Sequence, residues 1–384
     1  MSTFPVSSRV FGLDLLRTYA IFCVVHGHGH ALLWPFVSSA VFRLPTVDGV
    51  SVFFVLSGFL IGRILLRTWN ASGLGLNGMI DFWVRRWFRT LPTYALVLSL
   101  ILLIWVIDRR PLPEGWPKYL VFAQNLNWPH PDFFPEAWSL AVEEWFYLLM
   151  PLGLVLAGAI GLSRRSSALV VILGVIVAVT LFRIQRAHGL EPLDVHAWDV
   201  LLKKQVVTRF DSLMYGVLGA YLSFHRPHQW RRHRLSCLAI GIALLLTEKI
   251  LTAHGGSSPY LAYLSLSVLP LGTLMLLPFL SSWRLRGRAG PVAGIITTLS
   301  LTSYSMYLVH FTIVLNLIVP PISAGLSASG VAPLPVALLC YLAYWSLSLG
   351  CAYLLWRYFE APMTCLRERF RFGTSLRERS SAER

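Results

Sequence analysis

Ten stretches of mostly apolar residues, joined by short polar connections, leave this chain few ways to fold. They fall near 12–31, 48–66, 90–108, 138–160, 167–183, 207–224, 235–252, 259–280, 292–318 and 334–358. A helix needs about 20 such residues to cross a bilayer, and it satisfies its own backbone while doing so. The expected fold is all-α, a polytopic membrane bundle of about ten transmembrane helices. Composition agrees: 55% of residues are hydrophobic, 13% are charged and the mean hydropathy is +0.62, which excludes an ordinary soluble domain. The seventh stretch carries Glu248 and Lys249 near one end and the eighth is interrupted by Pro270, so these two are the least regular.

The formal charge of +15 would suggest nucleic acid as partner on a soluble protein, but here the basic residues cluster between apolar runs. With the N-terminus in the cytoplasm, 22 of them fall on the inner side and 8 on the outer. That bias puts both termini in the cytoplasm and the chain in the inner membrane, with lipid and not nucleic acid around it. Residues 1–362 then form one transmembrane domain, and 363–384 a basic tail, disordered or resting on lipid headgroups. The first apolar run carries charged residues and lacks a small-residue cleavage site, so no cleavable signal is expected. Five cysteines, in or beside apolar runs, show no metal-ligand spacing and imply no disulfide framework.

Within the first run, Arg17 and His28 are 11 residues apart. On a helix they project from nearly one face, about 16 Å apart along the axis, while His26 points to the opposite side. An ionisable group inside a bilayer is costly unless it lines a polar cavity or finds a partner, so two on one face suggest a path through the membrane. His26 and His30, at i, i+4, could ligate a metal, but no third ligand has the matching spacing and no metal is expected. His28 serves better as a general base, because neutral imidazole accepts protons near pH 7.

Four further segments carry polar groups. Arg86 and Arg89, at i, i+3, share a helix face; they suit either a membrane-edge anchor or recognition of phosphate. Ser57-Gly58 permits close helix packing, with a gap for substrate as a consequence. Glu143 and Glu144 cannot share a face, so at least one points into the bundle, there to steady His28 or to pair with an arginine such as Arg209. Ser303, Tyr307 and His310 form one polar stripe suited to lining a cavity, and Arg357 with Glu360 reads as a local ion pair at a helix end. Cations thus gather at the inner mouth, with a histidine and carboxylates further out.

Taken in order, six segments resemble the acyltransferase-3 family of integral-membrane O-acyltransferases from Arg17 to Pro362. They are Arg17…His28, Phe-Phe-x-x-Ser-Gly (Phe53 to Gly58), Arg86…Arg89, Trp138 to Tyr147, Ser303 to His310, and Phe359 to Pro362. The chain departs from the pattern at Trp145, where a glutamine is common, and in the two histidines flanking His28. The resemblance implies about ten helices and transfer of an acyl group, commonly acetyl, from cytoplasmic acyl-CoA to a hydroxyl of a carbohydrate or glycoconjugate. It assigns Arg17 and His28 to the essential pair and Arg86 and Arg89 to the donor. Glu143 is expected to orient His28, with Ser57, Trp138, Tyr147, Ser303, Tyr307 and His310 around the substrate. Tyr307 or Ser57 would stabilise the oxyanion. A secreted small molecule such as a macrolide sugar is the alternative acceptor. A transporter or a structural membrane protein would be the rival classes.

Overall fold

A computed structural model of the protein describes residues 9–38, 41–42, 46–190, 194–253, 259–285 and 290–366. The expected basic tail lies outside the described residues from 367 onward, as do Arg43, Arg286 and Arg288. Among the described residues the regular structure is entirely helical. The principal helices are α1 (Phe11–Leu33), α2 (Gly49–Ser72), α3 (Leu76–Ile107), α4 (Ala137–Ala159), α5 (Arg164–His188), α6 (Val206–His225), α7 (Arg234–Ala253), α8 (Ser265–Leu280), α9 (Pro291–Val309), α10 (Val319–Ala328) and α11 (Pro333–Leu355). A π-helical segment, His310–Ile318, joins α9 to α10.

Each apolar stretch contains a helix, and seven spans among the described residues are long and apolar enough to cross a membrane. This is an integral, multi-pass membrane protein. The helices outside that set, α1, α6 and α8, are polar or short. α6 is walled in by its neighbours and holds Arg209 and Asp211, both fully buried. Such a helix needs no apolar surface of its own, because adjoining helices shield it from lipid.

The expected boundaries differ in two places. α3 begins at Leu76 and not near 90, so Arg86 and Arg89 stand within a helix and not below one. Its first turns are amphipathic and anchored sideways: Arg85 Nε donates to Asp81 at 2.8 Å, and Trp83 Nε1 to the Tyr147 carbonyl at 3.1 Å. A hydropathy window does not detect such a stretch. The eighth run breaks at Leu264, between a short helix Pro259–Tyr263 and α8, and Pro270 is accommodated inside α8.

Backbone-to-backbone packing sets the frame. A Cβ on Gly58 would stand 2.0 Å from the Leu213 carbonyl oxygen, and one on Gly216 2.0 Å from that of Val55. α2 and α6 therefore touch through their main chains, as expected for Ser57-Gly58. Across α5 and α6 runs a fully buried ion pair, Arg183 to Asp211, with bonds of 3.2 and 3.0 Å and a further donation to the Thr208 carbonyl at 2.9 Å. Asp211 is thus committed to structure.

The segment before α4 is tied down by two buried amides. Asn125 Nδ2 donates to the Trp138 and Lys204 carbonyls at 3.0 and 2.8 Å, and Gln124 Nε2 to that of Ala137 at 3.1 Å. His130 in this segment is buried and carries no hydrogen bond on Nε2. Burial, assisted by the charge on Lys204, pushes its pKa down to about 3, so it sits in the fold as a neutral ring.

Candidate active site

Two adjoining cavities open between the helices. The first is an arginine chamber, walled by α1, α2, α3, α4 and α9. Arg17, Arg86 and Arg89 all face it. Ser57, Glu143, Tyr147, Ser303 and Tyr307 line it as well. Arg17 reaches from α1 to α9, donating to Ser300 Oγ at 3.3 Å, and Ser300 in turn donates to Asp14 at 2.7 Å. Asp14 is gripped by Arg9 at 2.9 and 2.5 Å.

The second is a histidine chamber, which His28 and Trp138 line. Here the structure corrects the expected partnership of Glu143 with His28. Glu143 accepts from Ser57 Oγ and from Tyr147 Oη, each at 3.0 Å, and both of its oxygens are taken within the arginine chamber. Glu144 turns the other way and accepts from Thr90 at 2.7 Å. The Arg209 pairing is not formed either: Arg209 lies 4.0 Å from Asp48, bonds to Ser51, and sits over the Phe54 ring. The carboxyl from this part of the chain that reaches the histidine chamber is Glu136, which caps α4 seven residues before Glu143. Thr312 holds it, through its backbone N–H at 3.1 Å and its hydroxyl at 2.6 Å.

His310 is likewise displaced from its expected place. It lines neither cavity, is completely buried, and stands behind His28. The Nδ1 atom of His28 lies 2.8 Å from Nε2 of His310. On the far side, His310 Nδ1 faces the carbonyls of Tyr307 at 2.8 Å and Met306 at 3.1 Å. Carbonyls only accept, so that nitrogen carries the proton and His310 Nε2 is an acceptor. His28 must then donate through Nδ1–H, which leaves its Nε2 lone pair as the free, basic nitrogen. The π-helical segment starting at His310 places the ring where both contacts are made; such irregular turns recur at functional sites.

The rest of the histidine chamber was not foreseen. Asp48 and Glu136 precede α2 and α4, and Asp199, Lys203 and Lys204 come from the connection before α6. Lys204 Nζ lies 2.5 Å from Asp199, and Lys203 Nζ lies 3.6 Å away. Burial alone would lower the pKa of Lys203, but Asp48 and Asp199 outweigh it and raise it, so this ammonium stays charged. The same two lysines hold the Asp199 carboxyl below its ordinary range despite its burial.

His26 faces away from both chambers, with its ring nitrogens 2.9 Å from Tyr341 Oη and from the Phe42 carbonyl. Among the described residues no group of three His, Cys, Asp or Glu side chains is placed to hold a metal ion. Glu360 is held by Ser305 at 2.5 Å, so the local pair expected with Arg357 is replaced by a contact between α9 and the turn that follows α11.

The family is defined at this level. The model of an acyltransferase domain, that of the acyltransferase-3 family, matches residues 10–357, and the chain belongs to that family. Its sequence is similar to the provisionally named peptidoglycan O-acetyltransferase YrhL of Bacillus subtilis, 30% identical over 48% of this chain and 30% of that protein. It is also similar to the O-acetyltransferase OatA of Staphylococcus aureus, 29% identical over 37% of this chain and 24% of the relative. The peptidoglycan O-acetyltransferase OatA of Listeria monocytogenes is 31% identical over 27% of this chain and 19% of the relative. The chain therefore spans less than a third of the length of these relatives. No solved structure matches it.

Proposed function

We propose that this chain is a membrane O-acetyltransferase, moving an acetyl group from acyl-CoA on the cytoplasmic side to a hydroxyl of a carbohydrate or glycoconjugate. One observation carries the reading: a basic imidazole nitrogen faces a polar chamber that adjoins a second chamber lined by three guanidinium groups. In this reading the bundle crosses the inner membrane ten times with both termini in the cytoplasm, and the arginine chamber opens inward.

Arg86 and Arg89 present two planar forks to the phosphates of CoA, with Arg17 adding a third positive charge. The pantetheine arm runs along α1, over the distance of about 16 Å separating Arg17 from His28. Its thioester arrives at the boundary of the chambers. An acceptor hydroxyl in the histidine chamber gives its proton to His28 Nε2 as its oxygen attacks the carbonyl carbon. The new C–O ester bond forms, the C–S bond breaks, and His28 returns the proton to the departing thiolate. His310 keeps the ring in the right tautomer throughout.

Ser57 donates to Glu143, and the Tyr307 hydroxyl donates to the Glu136 carbonyl at 2.9 Å, so neither expected oxyanion donor is free. Lys203, held charged in the same chamber as His28, takes that role in this reading. Carboxylates that accept from hydroxyls, beside the rings of Trp138 and Phe311, suit a sugar acceptor. The names of the relatives point the same way.

The experiment is turnover by the full chain in lipid nanodiscs, with acetyl-CoA and a β-1,4-linked N-acetylglucosamine oligosaccharide, read as acetylated sugar by mass spectrometry. His28→Ala should lose about 10²–10⁴-fold in kcat. Arg89→Ala should raise KM for acetyl-CoA about tenfold or more with kcat little changed, since it removes a charge-assisted contact remote from the reacting carbonyl. Full turnover by the His28 variant, or flux of an intact solute without CoA, would overturn the reading.

A further inference from the structure

Two side chains, Val50 and Tyr307, line both chambers. Arg17, Arg86 and Arg89 face only the first chamber, and His28 only the second. We propose that Val50 and Tyr307 form a neck that fixes the size of the acyl group transferred, admitting acetyl and rejecting longer or branched groups. The proposal rests on the reading of the arginine chamber as the donor site and of His28 as the base.

If the phosphates of the donor are held by the arginines, the acyl end leads, and it must enter the neck to bring its carbonyl to an acceptor beside His28. The pantetheine behind it is a thin, unbranched chain. The acyl group is therefore what the neck measures.

Both walls of the neck are held. Val50 lies in the first turn of α2, 9% exposed, beside Gly49, where a Cβ would stand 2.3 Å from the Ala20 carbonyl oxygen. The backbone of α2 is thus already against α1 and cannot retreat. The Tyr307 hydroxyl is bonded to Ser139 Oγ at 2.7 Å and to the Glu136 carbonyl at 2.9 Å, and the side chain is 7% exposed. Close-packed walls transmit a change of one methylene directly, whereas a loose wall would absorb it. The two sides also differ in kind. Resizing Tyr307 breaks two polar contacts, but the isopropyl group of Val50 can be resized without breaking any. Val50 is the position at which acyl preference can be altered cleanly.

The test compares acetyl-, propionyl-, butyryl- and isobutyryl-CoA on the full chain in nanodiscs, following release of the free CoA thiol with the same oligosaccharide present. Wild-type kcat/KM should fall about tenfold or more for each added methylene, the usual discrimination of a tight apolar pocket. Val50→Ala should bring propionyl to within about threefold of acetyl, and Val50→Ile should steepen the fall. Val50→Thr, equal in shape, controls for folding and should keep the wild-type order. Acetyl turnover that persists in Val50→Ala and Val50→Ile with unaltered ratios would overturn the neck and leave the donor and base assignments standing. Absence of thiol release from acetyl-CoA by the wild type would overturn those assignments, and the neck with them.

Discussion

Replacing His310 tests the site most sharply, because this residue touches neither chamber and acts only through His28. His310 is completely buried, and its Nε2 accepts from His28 Nδ1 at 2.8 Å. His310→Leu fills much of the same volume but removes the acceptor. The Nδ1–H of His28 is then buried without a partner, at a cost of about 1–3 kcal/mol, and the ring is released to present its proton-bearing nitrogen to the acceptor. If that energy is lost at the transition state, turnover falls roughly 5- to 150-fold. His310→Gln offers a carbonyl oxygen in place of Nε2 and should restore kcat to within about tenfold of wild type, as a hydrogen-bond donor could not. The assay is the steady-state split between kcat and KM for acetyl-CoA. KM should hold in both variants, because the proposed function puts the donor phosphates in the other chamber. A Leu variant with wild-type kcat, or a Gln variant as impaired as Leu, would refute the tautomer argument.

Two further outcomes concern the frame. Gly58→Ala would put a methyl 2.0 Å from the Leu213 carbonyl oxygen and force α2 from α6. It should destabilise the protein by about 1–3 kcal/mol, and an unchanged Tm in detergent would contradict the backbone contact. His130 is neutral in the fold, with a pKa pushed down to about 3, and titrates near 6.5 once unfolded. Between those values only the unfolded chain binds the proton. Stability from this residue is therefore complete above pH 6.5 and declines by about 1.4 kcal/mol per unit as pH falls toward 3, or about 2 kcal/mol from pH 7 to 5. His130→Phe should flatten that part of the Tm-against-pH curve, and a slope unaffected by the substitution would show that the ring is already charged.

The helices were legible because spanning a bilayer imposes a run of apolar residues that nothing else in a chain requires. The arginine chamber was legible only in part, because Arg86 and Arg89 precede the apolar run near 90 by which their helix was recognised. Arg17, Arg86, Arg89 and Ser57 are polar groups on periodic helices, and periodicity tells which way they face. Local spacing does not tell which polar groups meet. His28 and His310 are 282 residues apart, and Ser57 and Glu143 are 86 apart. Glu143 was matched with the wrong partner for that reason. Asp48, Glu136 and Asp199 escaped notice because they lie just before helices or in a short connection, where no repeat marks an inward face. The one available signal was a carboxylate seven residues before Glu143.

Tyr307 near the end of α9 and His310 at the start of the π-helical segment that continues it sit three residues apart, one as a wall of the proposed neck and the other as the support of the proposed base. Any tilt or slide of this helix would therefore widen the passage and misalign the imidazole in a single movement. Variation in donor size within such a scaffold is then confined to α2, where a substitution can change the aperture while leaving the proton-transfer apparatus untouched. The side of the passage that carries the chemistry is the side that cannot drift.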